Sequence, residues 1–426
     1  MDHFVIEGGR RLRGTITPVG NKNAALPLLA AALLTDEPLT LRNVPDIGDV
    51  RTKIELLRRL GVDIQDHGDA TWTLRSRNVG SNEPDLQLSR HIRTAPLLAG
   101  PLLARRGYVT VARPGGDRIG KRSLGTHFMA LESLGAHVEV GADSFGFQAD
   151  GLRGADILLD EMSVTGTEQA ILAAVLAEGT TRISNAASEP HVQDLCRCLQ
   201  QMGAQIDGCG TNVLTIEGVD RLGAADYMIG PDFMEVGSYI GLAAATRSEI
   251  RIAKARPEEH RITQLMFNRL GVRFDIDGED IVVPAEQELR IQSTRHAVIP
   301  KIESMPWPGF PTDLMSIAIV VATQTAGTVL IHEKMFENRL FFVDRLISMG
   351  AGIVLCDPHR AIVAGPTTLH GETLVSPDIR AGMALLIAAL TAHGTSMMQN
   401  VNQIDRGYER IEERLQTLGA RIERRS

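Results

Sequence analysis

Apolar and polar positions along this chain follow a pattern that recurs six times. Each unit reads as two short strands, a helix rich in Ala and Leu, a strand, a charged helix, and a closing strand. The charged helices stop at Leu60-Gly61, Leu134-Gly135, Met202-Gly203, Leu270-Gly271, Met349-Gly350 and Leu418-Gly419, so successive glycines lie 74, 68, 68, 79 and 69 residues apart. A glycine directly behind the last apolar helical position is a C-cap signal, because it accepts left-handed backbone without a Cβ clash. The segments that follow (VDIQ, AHVEV, AQIDG, VRFDI, AGIVL, ARIER) alternate with the period of a strand.

The Ala/Leu-rich helices are predicted over 24–34, 95–104, 169–177, 238–245, 314–322 and 381–391. They are almost wholly apolar, which predicts burial on every side. A polar strand-turn follows each one, as in LTLRNVP, TRISNAA and VLIHEKM. Units of this length exceed common solenoid repeats, and six of them suit closed assemblies better than an open stack. The expected fold class is α/β, with two similar domains of three repeats each, buried helices, and a first boundary near residue 230. The fifth unit carries extra length in 295–311 (RHAVIPKIESMPWPGFP), which suits a surface or cleft loop.

Composition narrows the function. The 426 residues are too many for one ordinary core and fit two domains. Aromatics make up only 4%, which leaves little for base stacking, and a net charge of -8 disfavours a nucleic-acid partner. Of the basic residues, 38 are Arg and only 6 are Lys. Arg suits carboxylate and phosphate ligands through its bidentate fork; genomic base composition is the blander explanation. Cys196, Cys198, Cys209 and Cys356 form no CxxC and have no His at metal-ligand spacing, so buried thiols in a reducing compartment are expected and no metal site is. The opening MDHFVIEGGRRLRG has no apolar core of leader length, and the apolar run 26–34 is too short to cross a bilayer. The expectation is a cytoplasmic enzyme with no membrane insertion.

Four places break the repeat with polar residues. Lys22, in Gly20-Asn21-Lys22-Asn23, opens an apolar helix; an anion at that N-terminus would partner it, unless it is simply solvated. The stretch 113–122 (RPGGDRIGKR) offers Asp117 among Arg113, Arg118, Lys121 and Arg122 on a glycine-rich loop, either functional or merely exposed. Asp313, in FPTD, is an ordinary helix cap or a catalytic acid, and its counterparts in other units are Asn23, Glu168 and Glu235. Arg339, Arg380 and Arg406 stand at turns or helix starts in the last two units. They would bind a small dianion together or, around Arg406, form solvated helix charges. No GxGxxG, P-loop, HExxH or GxSxG occurs.

The blocks GNKNAALP (20–27), PGG (114–116), FPTD (310–313), FENR (336–339) and DRGYERIEERLQTLGA (405–420) together resemble the UDP-N-acetylglucosamine enolpyruvyl transferases of cell-wall synthesis, over essentially the whole chain. The resemblance implies two inside-out α/β domains, 22–230 and 1–21 plus 231–426, with an active site in the cleft between them. It implies transfer of the enolpyruvyl group of phosphoenolpyruvate to a nucleotide-sugar acceptor by addition and elimination, without cofactor or metal. On that pattern Lys22, Arg122, Arg339, Arg380 and Arg406 bind phosphoenolpyruvate. Asn23, Arg93, His127, Ser163, Val164 and Asp313 face the sugar nucleotide. Lys22, Asp117, Asp313 and Arg406 are catalytic, with Asp313 as the base for the acceptor hydroxyl. Asp117 stands where most members carry the lid cysteine that fosfomycin alkylates, so insensitivity to that antibiotic is expected.

The departures from the family pattern gather on the nucleotide side. Gly125 replaces an acid, Glu161 a lysine, Phe233 a basic residue and Leu97 an aromatic. Three readings follow: the standard reaction with rearranged contacts, the same chemistry on another acceptor, or a weakly active or regulatory paralogue.

Overall fold

The computed structural model describes residues 2–116, 119–292 and 300–426. The chain forms two compact units. The first comprises Met1–Val19, Arg118–Lys121 and Pro231–Ser426, and the second Gly20–Asp117 and Arg122–Gly230. Each has its own hydrophobic core. Residues 293–299, including the start of the fifth-unit insertion, lie outside the described residues, as do Asp117 and Arg118.

The glycine stops are capped as the spacing predicts. All six glycines take positive φ, between 78° at Gly271 and 103° at Gly203. A short strand follows each stop, from Asp63–Asp66 to Arg421–Arg425. Among the described residues these strands build six small sheets, five of four strands and one of three.

The second unit closes on itself through Ala225–Met228, which pairs in parallel with Leu39–Arg42 at the other end of the unit's sequence. The first unit draws on both chain ends. Arg13–Ile16 pairs in parallel with Glu249–Ile252, and His3–Glu7 lies antiparallel between Thr395–Gln399 and Arg421–Arg425. Sequence periodicity gave no hint of this crossover, because register between distant strands is set by packing.

Inside each unit lie the apolar helices. In the first they are Phe233–Ala245, Met315–Thr323 and Ile379–Thr391, with every residue of the first two buried and only Thr391 of the third less than buried. In the second unit Lys22–Ala31, Ala99–Arg106 and Val164–Ala174 fill the same role. Two helices start earlier than predicted, Val164 rather than 169 and Phe233 rather than 238. Their opening turns hold polar residues (Thr167, Glu168, Glu235) that mask the apolar pattern yet are buried.

Close helix approach depends on small residues. A Cβ on Gly241 would lie 2.2 Å from Ile317 Cγ2 of the neighbouring helix. Alanine is worth about 1 kcal/mol over glycine in a helix, but overpacking costs about 1–3 kcal/mol. Gly241→Ala is therefore expected to lower the urea midpoint of unfolding. An unchanged or raised midpoint would show that these helices separate freely.

Candidate active site

The repeat-breaking motifs fall in two groups, one in each unit, with Lys22, Asp313 and Arg380 at helix starts. In the second unit Gly20 has no room for a side chain: a Cβ would lie 1.7 Å from the Asn43 carbonyl oxygen. Beside it the Asn21 N–H donates to the Gly230 carbonyl (2.8 Å), and the Asn21 side chain caps the helix by accepting from the Asn23 and Ala24 N–H groups. Asn23 is half-buried at this end. Lys22 is buried, with Nζ 2.7 Å from Asp49 Oδ2. Asp49 sits in the first turn of the helix Gly48–Leu60. The partner that a lysine needs in such a place thus includes a protein carboxylate, with which any anionic ligand at Lys22 competes.

One turn further along that helix Lys53 is fully buried, its Nζ donating to the Thr94 carbonyl (2.9 Å). Burial draws Lys53 down to about 7 against the opposing charge of Glu168. Glu168, also buried, is pushed well above the usual carboxylate range by burial and then by Glu189. Both groups are driven toward neutrality, which limits the cost of enclosing them. Lys53 thereby pins the turn that presents Arg93.

Arg93 Nη2 donates to the carbonyls of Arg122 (2.8 Å) and Ser123 (3.1 Å). Burial and Arg122 lower it to about 10, while Glu161 acts in the opposite sense. His127 Nε2 meets Thr165 Oγ1 at 2.9 Å, and its buried Nδ1 has no hydrogen-bond partner in the described structure. Burial, with help from Arg93, drives the imidazole to about 3, so it is neutral at physiological pH. Ser163 caps the helix that begins at Val164, its Oγ accepting from Gly166 N–H (3.2 Å). Thr126 Oγ1 donates to Asp160 (2.7 Å) and Glu161 (3.3 Å). The glutamate that replaces a family lysine therefore stands among these residues, beside the helix start where Gly125 replaces the family acid.

The loop glycines have a steric reason. A Cβ on Gly115 would lie 1.8 Å from the Arg90 carbonyl oxygen, and one on Gly116 would lie 3.0 Å from Arg93 Cβ. Arg113, read from the sequence as one of the loop's bases, points elsewhere: Nε donates to the Ala142 carbonyl (2.7 Å), and the guanidinium covers the Phe145 ring. The candidate acid Asp117 lies outside the described residues.

In the first unit Asp313 receives Arg339 Nη2 at 2.6 Å and Arg380 Nε at 2.9 Å. Both arginines are buried and the aspartate is half-buried. Burial works against the Arg380 charge, but Tyr408, Asp313 and Asp232 hold it protonated. Its Nη1 donates to the Tyr408 hydroxyl at 3.2 Å. Arg339 Nη1 also lies 3.9 Å from Asp378, which caps the Ile379–Thr391 helix. The two arginines expected to stand open for a ligand are thus bridged by the candidate base. Arg406 ends a 3-10 turn, half-buried, with Nη1 on Gln403 Oε1 (2.9 Å).

Phe233 departs from expectation: it is buried, edge-on to Trp307 with ring centroids 5.8 Å apart, so this substitution belongs to the core rather than to a ligand surface. Leu97 is likewise buried in core. The repeat counterparts of Asp313 have separate partners. Glu235 is gripped by Arg414 and accepts from the Val19 N–H (2.8 Å) and the Tyr239 hydroxyl (2.9 Å), a structural clamp on the N-terminal segment.

Sequence reasoning passed over Asp49, Lys53 and Tyr408. A signal for Lys53 existed: it is one of six lysines and falls on the apolar face of its helix, with Val50, Ile54 and Leu57.

The sequence and fold were compared with known proteins. The family model described as EPSP synthase (3-phosphoshikimate 1-carboxyvinyltransferase) matches residues 6–415. Similar proteins named UDP-N-acetylglucosamine 1-carboxyvinyltransferase include one from Bradyrhizobium diazoefficiens, 55% identical over 99% of this chain and 97% of its own. Another, from Treponema denticola, is 52% identical over 99% of each. Among solved structures, the enolpyruvyl transferase NikO from Streptomyces tendae shares the fold with a TM-score of 0.88 at 24% identity, covering 99% of this chain and 98% of its own. An EPSP synthase from Acinetobacter baumannii does so with 0.76 at 17%, covering 100% of each.

The depressed lysine has a measurable consequence. Between about 7 and its ordinary 10.5, native Lys53 has given up a proton that the unfolded chain still holds. Stability rises with pH wherever the unfolded state binds more protons. From about pH 7 to about pH 9.5 the parent should therefore gain on Lys53→Met in urea unfolding, by up to about 1.4 kcal/mol per pH unit. A pH-independent difference would mean that Lys53 stays charged in the interior.

Proposed function

The chain belongs to the enolpyruvyl transferase family, and we propose that it transfers the enolpyruvyl group of phosphoenolpyruvate to the 3-hydroxyl of UDP-N-acetylglucosamine, releasing phosphate, as a cytoplasmic step of peptidoglycan synthesis. Relatives of that name, more than half identical across nearly the whole chain, support the acceptor. The observation that carries the chemistry is the convergence of the buried guanidiniums of Arg339 and Arg380 on Asp313.

That triad couples binding to activation. A substrate carboxylate entering the two forks competes with Asp313 for the same donors. Released from them, Asp313 becomes a stronger base, because hydrogen bonds and positive neighbours are what keep a carboxylate weakly basic. It then accepts the proton of the acceptor hydroxyl as that oxygen attacks C2 of phosphoenolpyruvate. Asp117 delivers a proton to C3 to complete the tetrahedral adduct. Elimination breaks the C2–O bond to phosphate and removes a proton from C3, restoring the double bond. Lys22, Arg122 and Arg406 stabilise the phosphate as it leaves. Asn23, Arg93, His127, Ser163 and Val164 hold the nucleotide sugar. The two residue groups lie in different units.

A second reading, the same chemistry on a different acceptor, is favoured by Glu161, whose carboxylate acts on Arg93 where the family carries a lysine. Such a charge reversal disfavours a diphosphate.

The deciding measurement is phosphate release from phosphoenolpyruvate with and without UDP-N-acetylglucosamine, with the adduct identified by mass spectrometry. Release should require the nucleotide sugar and fall about 10²–10⁴-fold in Asp313→Ala, the usual worth of a general base. Lys22→Ala should lose it too, with thermal unfolding checked because Lys22 is an ion-pair partner of buried Asp49. No turnover with phosphoenolpyruvate still bound would support another acceptor; no phosphoenolpyruvate binding at all would favour a regulatory paralogue.

Fosfomycin should leave activity intact after preincubation at equimolar dose, since position 117 offers a carboxylate rather than a thiol. Rapid covalent inactivation would overturn that expectation.

A further inference from the structure

The four cysteines are not the uniformly buried set that the sequence led us to expect. Cys196 and Cys198 are buried in the helix Pro190–Gln201, Cys209 is half-buried, and Cys356 is exposed. Cys209 lies in the turn between the strands Gln205–Asp207 and Val213–Glu217, flanked by Gly208 and Gly210, both at positive φ. That turn folds back over the helix. The Cys209 thiol reaches the Gln193 carbonyl at 3.8 Å, one helical turn before Cys196, and the two thiols perturb each other's titration. Arg197, whose Nη2 is held 2.9 Å from Gln193 Oε1, adds positive charge at the same place.

The two thiols are inequivalent. The neighbouring Cys196 thiol draws Cys209 down to about 7, with Arg197 helping and burial opposing. Cys209 and burial push Cys196 up. A half-exposed thiol with high thiolate content beside a buried thiol partner is the arrangement of an attacking and a resolving cysteine. None of these residues belongs to the groups assigned to the transferase reaction.

We propose that Cys196 and Cys209 form a hydroperoxide-sensitive dithiol, with Cys209 attacked first and Cys196 resolving it. In the first step the Cys209 thiolate attacks an oxygen of the hydroperoxide. An S–O bond forms, the O–O bond breaks, and the second oxygen leaves as water or alcohol. Cys209, now a sulfenic acid, has lost two electrons and the peroxide has gained them. In the second step Cys196 sulfur attacks Cys209 sulfur. The S–S bond forms, the S–O bond breaks, and water departs with the Cys196 proton. Any dithiol reductant reverses the pair by exchange. The product staples the turn to a helix that packs against Lys22–Ala31 in the same unit.

The test uses the full-length protein, hydrogen peroxide in small excess, alkylation without reduction, and peptide mapping by mass spectrometry. A Cys196–Cys209 linked peptide is expected first, while Cys198 and Cys356 remain alkylatable. In Cys196→Ala, Cys209 should accumulate as a sulfenic acid trapped by dimedone; in Cys209→Ser, Cys196 should stay reduced. The proposal is overturned if exposed Cys356 oxidises before Cys209, if Cys209 pairs with another cysteine, or if no dimedone adduct forms at Cys209 in Cys196→Ala.

Discussion

A helix buried on every side has no solvent face on which to put a polar residue, so its charged neighbours must gather at its ends and find partners there. Both units of this protein are built around such helices, and that constraint organises nearly everything polar inside them. Lys22, Glu168, Glu235, Asp313 and Arg380 all belong to the opening turns of buried helices or the short turn that leads into one. The helix N-terminus offers free N–H groups and a positive dipole end. An architecture chosen for packing therefore delivers a set of anion-directed sites at one end of each helix.

The partners found at those ends differ in kind. Glu235 is matched by Arg414 and fixes the N-terminal segment. Lys53 and Glu168 are each driven toward neutrality. Lys22 with Asp49, and Asp313 with its two arginines, keep paired ionic groups. A buried ion pair contributes little net stability, yet losing one partner costs about 3–5 kcal/mol. The last of these, Lys22 with Asp49 and Asp313 with its two arginines, are suited to exchange: a ligand that supplies the same charge can take a partner's place. Equivalent positions in a repeated fold have thus been divided between holding the chain and forming exchangeable ion pairs.

Much of this was legible in the sequence. The Leu-Gly and Met-Gly stops gave the helix ends because one residue type reports a backbone conformation directly, and the apolar helices followed from composition alone. The blocks around Lys22, Asp313, Arg339, Arg380 and Arg406 marked the candidate site. What could not be read depends on distance along the chain. Arg339 and Arg380 meet on Asp313, 26 and 67 residues away, and no periodicity encodes that convergence. Phe233 looked like an altered contact because a position in a motif does not say which way its side chain turns. Lys53 was hidden by the ordinary assumption that a lysine on a charged helix faces water.

The strand His3–Glu7 has a consequence for how the protein comes into being. Its two neighbours, Thr395–Gln399 and Arg421–Arg425, leave the ribosome long after it does. The second unit, by contrast, is complete once Ala225–Met228 has emerged to meet Leu39–Arg42. Domains fold as units during synthesis, earlier ones first. The inserted unit can therefore be native while the opening strand, an unpaired edge with an apolar face, waits through the synthesis of nearly half the chain. For the living cell the vulnerable moment of this protein is that wait, and a ribosome stalled late in the message leaves one finished unit tethered to one that cannot close.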